Sequence, residues 1–178
     1  MTRTDLLLLG DSLTQFHDWS RLGVHHNAGI AGDTTDGVLR RLYYTLERQP
    51  QTLVLQIGIN DLLQGHFPET IQENYVKLFE QLQVIETVII VSLLPVEMNP
   101  YTEQLDEHII KLNHFLKKTR LTYGFVYLDL YRLMVDHNGG IRAELTSDGL
   151  HLTPEAYTIW EEALSTVIRD GTSVSSSR

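Results

Sequence analysis

The feature that most constrains this chain is the run Leu6-Leu7-Leu8-Leu9-Gly10-Asp11-Ser12 near its start. Four consecutive leucines with no polar alternation read as a strand buried on both faces, the pattern of a parallel sheet covered by helices on each side. Gly10 breaks the run, and a serine follows two residues later. That places a hydroxyl at the C-terminal edge of a central strand, where open α/β sheets hold their ligands. Gly, Asp and Ser are also ordinary turn residues. A nucleophilic Ser12 would need a base, a group to orient the base, and donors for an oxyanion elsewhere in the chain.

The remaining sequence alternates short apolar runs with helical patterns, the sign of βαβ units. Strands are expected at 5–10, 24–28, 52–58, 87–93 and 125–130. Asp33 can cap a helix whose buried face is Val38, Leu42 and Thr45/Leu46. Ile71, Tyr75, Leu78, Phe79 and Leu82 form a second stripe, and Leu105, Ile109, Leu112 and Leu116 a third. Thr153 caps a last helix with Pro154 at its first position, burying Ala156, Trp160, Ala163, Leu164 and Val167. The fold class expected is a three-layer α/β/α, flavodoxin-like domain with a five-stranded parallel sheet in the order 2-1-3-4-5. It would span residues 1–170, and the serine-rich stretch 171–178 reads as a disordered tail.

Charge and composition remove several classes of function. With 14 Lys and Arg against 23 Asp and Glu the net charge is −9, which argues against a nucleic-acid partner. The pairs Arg40-Arg41 and Lys117-Lys118 read as solvated helix faces. The absence of cysteine excludes disulfides and Cys-ligated metals. His25, His26, His66, His108, His114 and His137 show no metal-ligand spacing, so no metal is expected and these read as surface or structural. The leucine run is too short to span a bilayer and lacks the flanks of a signal peptide. The expectation is a cytoplasmic protein without a stable membrane anchor; its oligomeric state is not legible.

The partners that Ser12 needs can be found. Asp148-Gly149-Leu150-His151 precedes the last helix. Histidine can accept a proton near neutral pH, and a carboxylate three residues earlier can hold it in one tautomer. Asn27-Ala28-Gly29-Ile30-Ala31-Gly32-Asp33-Thr34 follows the second strand, and Gly32 precedes the expected cap. Unpaired N–H groups at a helix start favour negative charge, and a glycine allows close approach. Gly29 is read as serving the turn only. Asn60, in Gln56-Ile57-Gly58-Ile59-Asn60-Asp61, can donate a side-chain N–H to an oxyanion. Asp11 and Asp61 are assigned to turn hydrogen bonds. Each of these short patterns also has an ordinary turn reading; their joint placement at one edge of a parallel sheet is what favours chemistry. Gly-x-Ser-x-Gly is absent, so the α/β-hydrolase elbow is not the scaffold.

Taken together, Gly10-Asp11-Ser12-Leu13, Gly32, Gly58-Ile59-Asn60-Asp61 and Asp148-Gly149-Leu150-His151 resemble the four conserved blocks of the SGNH hydrolases, the GDSL esterase/lipase family. All four occur in order and frame nearly the whole chain. The stretches 27–35 and His151-Leu152-Thr153, with Leu94-Pro95, resemble acetylhydrolases of platelet-activating-factor type. The compact size resembles small bacterial thioesterases and lysophospholipases. The resemblance implies Ser12 as nucleophile, His151 as base and Asp148 as its orienter. It also implies an oxyanion hole made by the Ser12 and Gly32 N–H groups and the Asn60 side chain. No cofactor is implied. The expected function is a serine esterase acting through an acyl-enzyme on small or lipid-like esters. Acyl-CoA thioesterase and carbohydrate acetylesterase are alternatives at the same site, and a non-catalytic flavodoxin-like binding module is the rival from another class. Leu13, Phe16, Leu62, Leu63, Phe67 and Met98 are candidate pocket residues. Phe16 stands near where many relatives carry glycine, which bears on the shape of the acyl pocket.

Overall fold

A computed structural model describes residues 5–99 and 101–175. Five strands run β1 (Leu6–Gly10), β2 (His25–Gly29), β3 (Thr52–Gln56), β4 (Thr87–Val91) and β5 (Val126–Leu128). All neighbours pair in parallel, in the order β2-β1-β3-β4-β5. The helices are α1 (Ser12–Gln15), α2 (Thr35–Leu46), α3 (Ile59–Leu63), α4 (Pro68–Leu82), α5 (Glu103–Tyr123), α6 (Leu130–Met134) and α7 (Pro154–Ser175). Two 3-10 turns lie at Trp19–Leu22 and Ala143–Leu145.

The leucine run of β1 explains the layering. Leu7 and Leu9 face one side, where they pack with Leu53 and Leu55 under Val38 and Leu42 of α2, Phe79 of α4 and Leu112 of α5. Leu6 and Leu8 face the other, with Val54 and Ile89, under Trp19 and Trp160 and Leu164 of α7. Burying such a side chain on either face contributes about 2 kcal/mol relative to exposure, so no register that turns one face to water competes.

The sheet edge then assembles the site. Gly10 at the end of β1 lies in register with Gly29 of β2 on one side and Gln56 of β3 on the other. The loops after β1, β2 and β3 therefore leave the sheet side by side, at the switch point where ligands bind in this topology. Gly10 and Gly29 are required here for close approach. A Cβ on Gly10 would meet the Gln56 carbonyl at 2.3 Å, and one on Gly29 would meet Gln15 N at 2.4 Å. Gly29 thus seats α1 against β2, beyond the turn role expected of it.

Several boundaries differ from the sequence reading. The strands end earlier than expected at 58, 93 and 130, because Gly58, Ser92 and Asp129 already begin loops or helix caps. The cap of α2 is Thr34, whose hydroxyl accepts from Gly37 N, while Asp33 turns its carboxylate to Arg41. The short helices α1, α3 and α6 were not anticipated, since one turn carries no periodicity. Helix α7 continues to Ser175, into the stretch 171–178 read as a disordered tail; Ser and Thr are only modestly poorer helix formers than Ala, and a packed helix can propagate through them. Residues 176–178 lie outside the described ones.

Candidate active site

Ser12 opens α1, and Asp11 caps it by accepting from Leu13 N (3.0 Å). The C-terminal carbonyls of this four-residue helix are held by side chains from elsewhere in the chain. Tyr157 Oη donates to Leu13 O (2.8 Å), and Trp19 Nε1 (2.9 Å) and Asn27 Nδ2 (3.0 Å) both donate to Thr14 O. This satisfies carbonyls that a short helix would otherwise leave unpaired. Ser12 is 8% exposed.

Ser12 Oγ lies 3.2 Å from His151 Nε2, and His151 Nδ1 lies 2.7 Å from Asp148 Oδ2. With the proton on Nδ1, the imidazole donates to the carboxylate and leaves Nε2 free to accept from the serine hydroxyl. Asp148 Oδ1 also accepts from the backbone N–H groups of Leu150 (3.0 Å) and His151 (2.7 Å). The hydrogen bond from the imidazole, followed by those from the backbone, draws the Asp148 carboxyl down to about 2. It therefore stays ionised although its side chain is 52% exposed. Thr146 braces the loop, donating to His151 O (2.9 Å) and accepting from Gly149 N (2.9 Å).

The loop between β2 and α2 supplies donors. Gly32 is exposed and has φ +79°, the left-handed region that favours glycine. The N–H groups of its neighbours are engaged: Ala31 with Gln15 Oε1, Asp33 with Ile30 O, Thr34 with Asp33 Oδ1, and Thr35 with Asp61. No hydrogen bond among the described residues engages Gly32 N–H. Asn60 Nδ2 donates to Asp33 O (2.9 Å), which fixes the amide and leaves its second hydrogen available. Asp61 does more than a turn residue would. Fully buried, it accepts from both Thr35 N (2.9 Å) and Thr35 Oγ1 (2.5 Å), locking α3 to the start of α2.

The six residues named for the pocket separate. Leu13 and Leu62 are buried in the two cores and form no wall, because α1 and α3 turn those positions inward. Phe16 is exposed, with its ring centroid 5.8 Å from that of His151. Leu63 lines a cavity of about 210 Å³ with Val96, Leu105 and Leu150. Met98 belongs to a wider polar groove of about 710 Å³ that includes Asp136, Asn138, Thr146, Ser147 and Asp148. Phe67 is exposed and lines neither. Two residues near the site were missed. His17 is stacked on Tyr157 (4.2 Å) and meets Glu161 at 3.0 Å. Arg41, read as solvated, points inward. Its i+3 spacing from Val38, within the buried stripe, was the available signal.

Among the described residues no helix is long and apolar enough to cross a membrane. Among known proteins, the chain is 31% identical over 151 residues to an N-acylneuraminate cytidylyltransferase of Streptococcus agalactiae, a match covering 84% of this chain and 35% of that protein. The chain therefore spans about a third of the length of that relative. It is 27% identical over 128 residues to the esterase TesA of Pseudomonas aeruginosa, covering 70% of this chain and 59% of TesA. The crystal structure of a lipase/acylhydrolase from Enterococcus faecalis shares the fold, with a TM-score of 0.79 at 24% identity and coverage of 95% and 96% of the two chains. Residues 8–159, from β1 into α7, contain all five groups described above and match the model of the GDSL-like lipase/acylhydrolase family, so the chain belongs to that family of acylhydrolases.

Proposed function

We propose that this protein is a serine esterase that cleaves acyl esters through an acyl-enzyme. The observation that carries this reading is the continuous path Ser12 Oγ–His151–Asp148, ending beside two loops with unused donors. Ser12 gives its proton to His151 Nε2 and attacks the acyl carbonyl. The oxyanion is held by Ser12 N–H, Gly32 N–H and the second hydrogen of the Asn60 amide. His151 returns the proton to the leaving alcohol, and water then repeats the sequence on the acyl-enzyme.

Cavity size and charge narrow the substrate. The cavity of about 210 Å³ has an apolar wall of Leu63, Val96, Leu105 and Leu150, and Glu97, Asn99, Thr102 and Asp148 complete its lining. An apolar cavity of about 150 Å³ accepts benzene, so this one suits acyl chains of up to roughly six to eight carbons. The wider groove carries the carboxylates of Glu97, Asp136 and Asp148 beside Asn138, Thr146 and Ser147. Hydroxyl-rich or neutral alcohols suit it, while polyanionic acyl-CoA is repelled. The relatives support a second reading within this class. The S. agalactiae protein is named for a reaction of N-acylneuraminate, a sugar acid, so an O-acyl sugar is a candidate substrate.

Nitrophenyl esters of two to twelve carbons, an O-acetylated neutral sugar, an O-acetylated N-acylneuraminate and acyl-CoA would be assayed side by side. The expected profile rises to about eight carbons and then falls, with acyl-CoA poorest. Ser12→Ala should lose fluorophosphonate labelling and lower kcat by ~10⁴-fold or more. Retained turnover in Ser12→Ala would overturn the reading.

A further inference from the structure

Arg41 is a cation on the buried stripe of α2, beside Val38 and Leu42, with its side chain 21% exposed. Its neighbour Arg40 behaves differently, pairing with Asp36 one turn away at the surface. The guanidinium of Arg41 makes three hydrogen bonds to three separate segments. Nη2 donates to Gly10 O (3.1 Å), the last residue of the strand before Ser12. Nη1 donates to Ala28 O (2.8 Å), near the end of β2. Nε donates to Asp33 Oδ2 (2.7 Å), on the residue after Gly32. The carbonyl of that same Asp33 accepts from the Asn60 amide (2.9 Å).

We infer that Arg41 is the positioning residue of the oxyanion hole, tying the nucleophile strand, the Gly32 loop and, through Asp33, Asn60 to one rigid fork. This rests on the esterase reading above. The planar guanidinium reaches three acceptors in fixed directions, which a lysine ammonium on a flexible stem does not reproduce. The local sequence accommodates the arrangement. A Cβ on Gly37 would lie 1.8 Å from Asp33 Oδ1, so a glycine there makes room for the carboxylate that Arg41 grips. Asp33 N–H bonds to Ile30 O, and Ile30 N–H bonds to Gly10 O, so the loop backbone returns to the atom that Arg41 holds. Arg41 touches no reacting atom. Its effect is on where the donors stand, and misplacing a catalytic group by about 1 Å can cost ~10²-fold in rate.

The test is steady-state kinetics normalised to active sites titrated with a fluorophosphonate, which removes any unfolded fraction. Arg41→Met should lower kcat by ~10²-fold and Arg41→Lys by ~10-fold, each with KM within ~3-fold, because the loss falls on the transition state. In an Asn60→Ala background Arg41→Met should cost much less than its separate effect, because one of the donors it aligns is gone. Asp33→Asn keeps the two carbonyl contacts and should lie between Arg41→Lys and wild type. A kcat per titrated site within ~2-fold of wild type in Arg41→Met would overturn the inference and leave Arg41 a structural ion pair. If Arg41→Met does not fold, unchanged kcat in both Arg41→Lys and Asp33→Asn overturns it equally. Wild-type protein that neither labels nor turns over esters would overturn the esterase reading itself. Normal wild-type activity with inert Arg41 substitutions would overturn only this inference.

Discussion

Asp11 and Asp148 each stand beside a residue of the proposed site, Ser12 or His151, and their surroundings pull them in opposite directions. Asp11 is fully buried, with one oxygen bonded to Leu13 N and the other without a partner among the described residues. Burial, with a smaller contribution from the Asp33 charge, pushes its carboxyl up to about 7. Asp148 is half-exposed and accepts three hydrogen bonds from residues two and three positions along the chain, which bring it down to about 2. The seat of Ser12, the proposed nucleophile, is thus made by other elements closing over it, with Tyr157 and Trp19 at the end of α1 and β2 and β3 at its flanks. The loop of the proposed base is closed mainly by its own residues, with one bond from outside, Glu97 N to Gly149 O (2.8 Å). Damage to the seat should therefore appear mainly in stability, and damage to the base loop mainly in rate.

The largest expected effect probes the base loop. Asp148→Asn keeps an oxygen for the Leu150 and His151 N–H groups, so the loop retains its shape, but its amide favours the wrong imidazole tautomer. Its kcat should fall by ~10²–10⁴-fold, with a melting temperature close to that of wild type. A large loss of stability with kcat intact would reverse the comparison.

A smaller, paired effect sets the two regions against each other directly. Tyr157→Phe removes the donor to the buried Leu13 carbonyl and should cost about 1–3 kcal/mol in denaturant unfolding, with less than a threefold change in kcat. Thr146→Ala loosens the base loop and should do the opposite, costing under ~1 kcal/mol while lowering kcat by about tenfold. Equal behaviour of the two in both assays would remove the distinction.

The last contrast is the pH dependence of stability. Folded Asp11 holds a proton that the unfolded chain releases above about pH 4, so its contribution makes stability fall as pH rises from about 4 to about 7. Asp148 has the reverse sign, contributing stability above about pH 4 that is lost as pH falls toward about 2. Asp11→Asn keeps the acceptor for Leu13 N and should flatten the fall between pH 4 and 7, raising the melting temperature at pH 8 by several degrees. Each 1 kcal/mol corresponds to about 2–4 °C in a domain of this size. An unchanged slope would mean that Asp11 titrates normally.

Much of the architecture is legible in the residues alone. The leucine run and the four apolar stripes suffice for five parallel strands with helices on both faces. The Asp148–His151 geometry is equally legible, because its hydrogen bonds span only two and three residues. From sequence Leu62 stands as a pocket candidate, and Leu13 as one for which packed core is the better reading; the structure buries both, and a helix of one turn leaves no period from which to tell its inner face from its outer one. The sequence reading puts the cap at Asp33, one residue early, because Asp is the better cap than Thr in isolation. The choice fell to Thr34 because Arg41 takes the Asp33 carboxylate.

Arg40 and Arg41 mark the boundary between the two kinds of information. By itself the sequence determined that β1 is central, since a strand apolar on both faces must be covered on both. It also determined that the His151 imidazole and the carboxylate that holds it come from one short loop, because that geometry is closed mainly by neighbours. Only the tertiary structure decided that Arg41 turns inward while Arg40 stays at the surface. Adjacent helical residues differ by about 100° in direction, and the acceptors that make burial of a charge tolerable, Gly10 O, Ala28 O and Asp33, lie 31, 13 and 8 residues away. A charge is buried only where its partners converge, and that convergence exists only once the strands are in register.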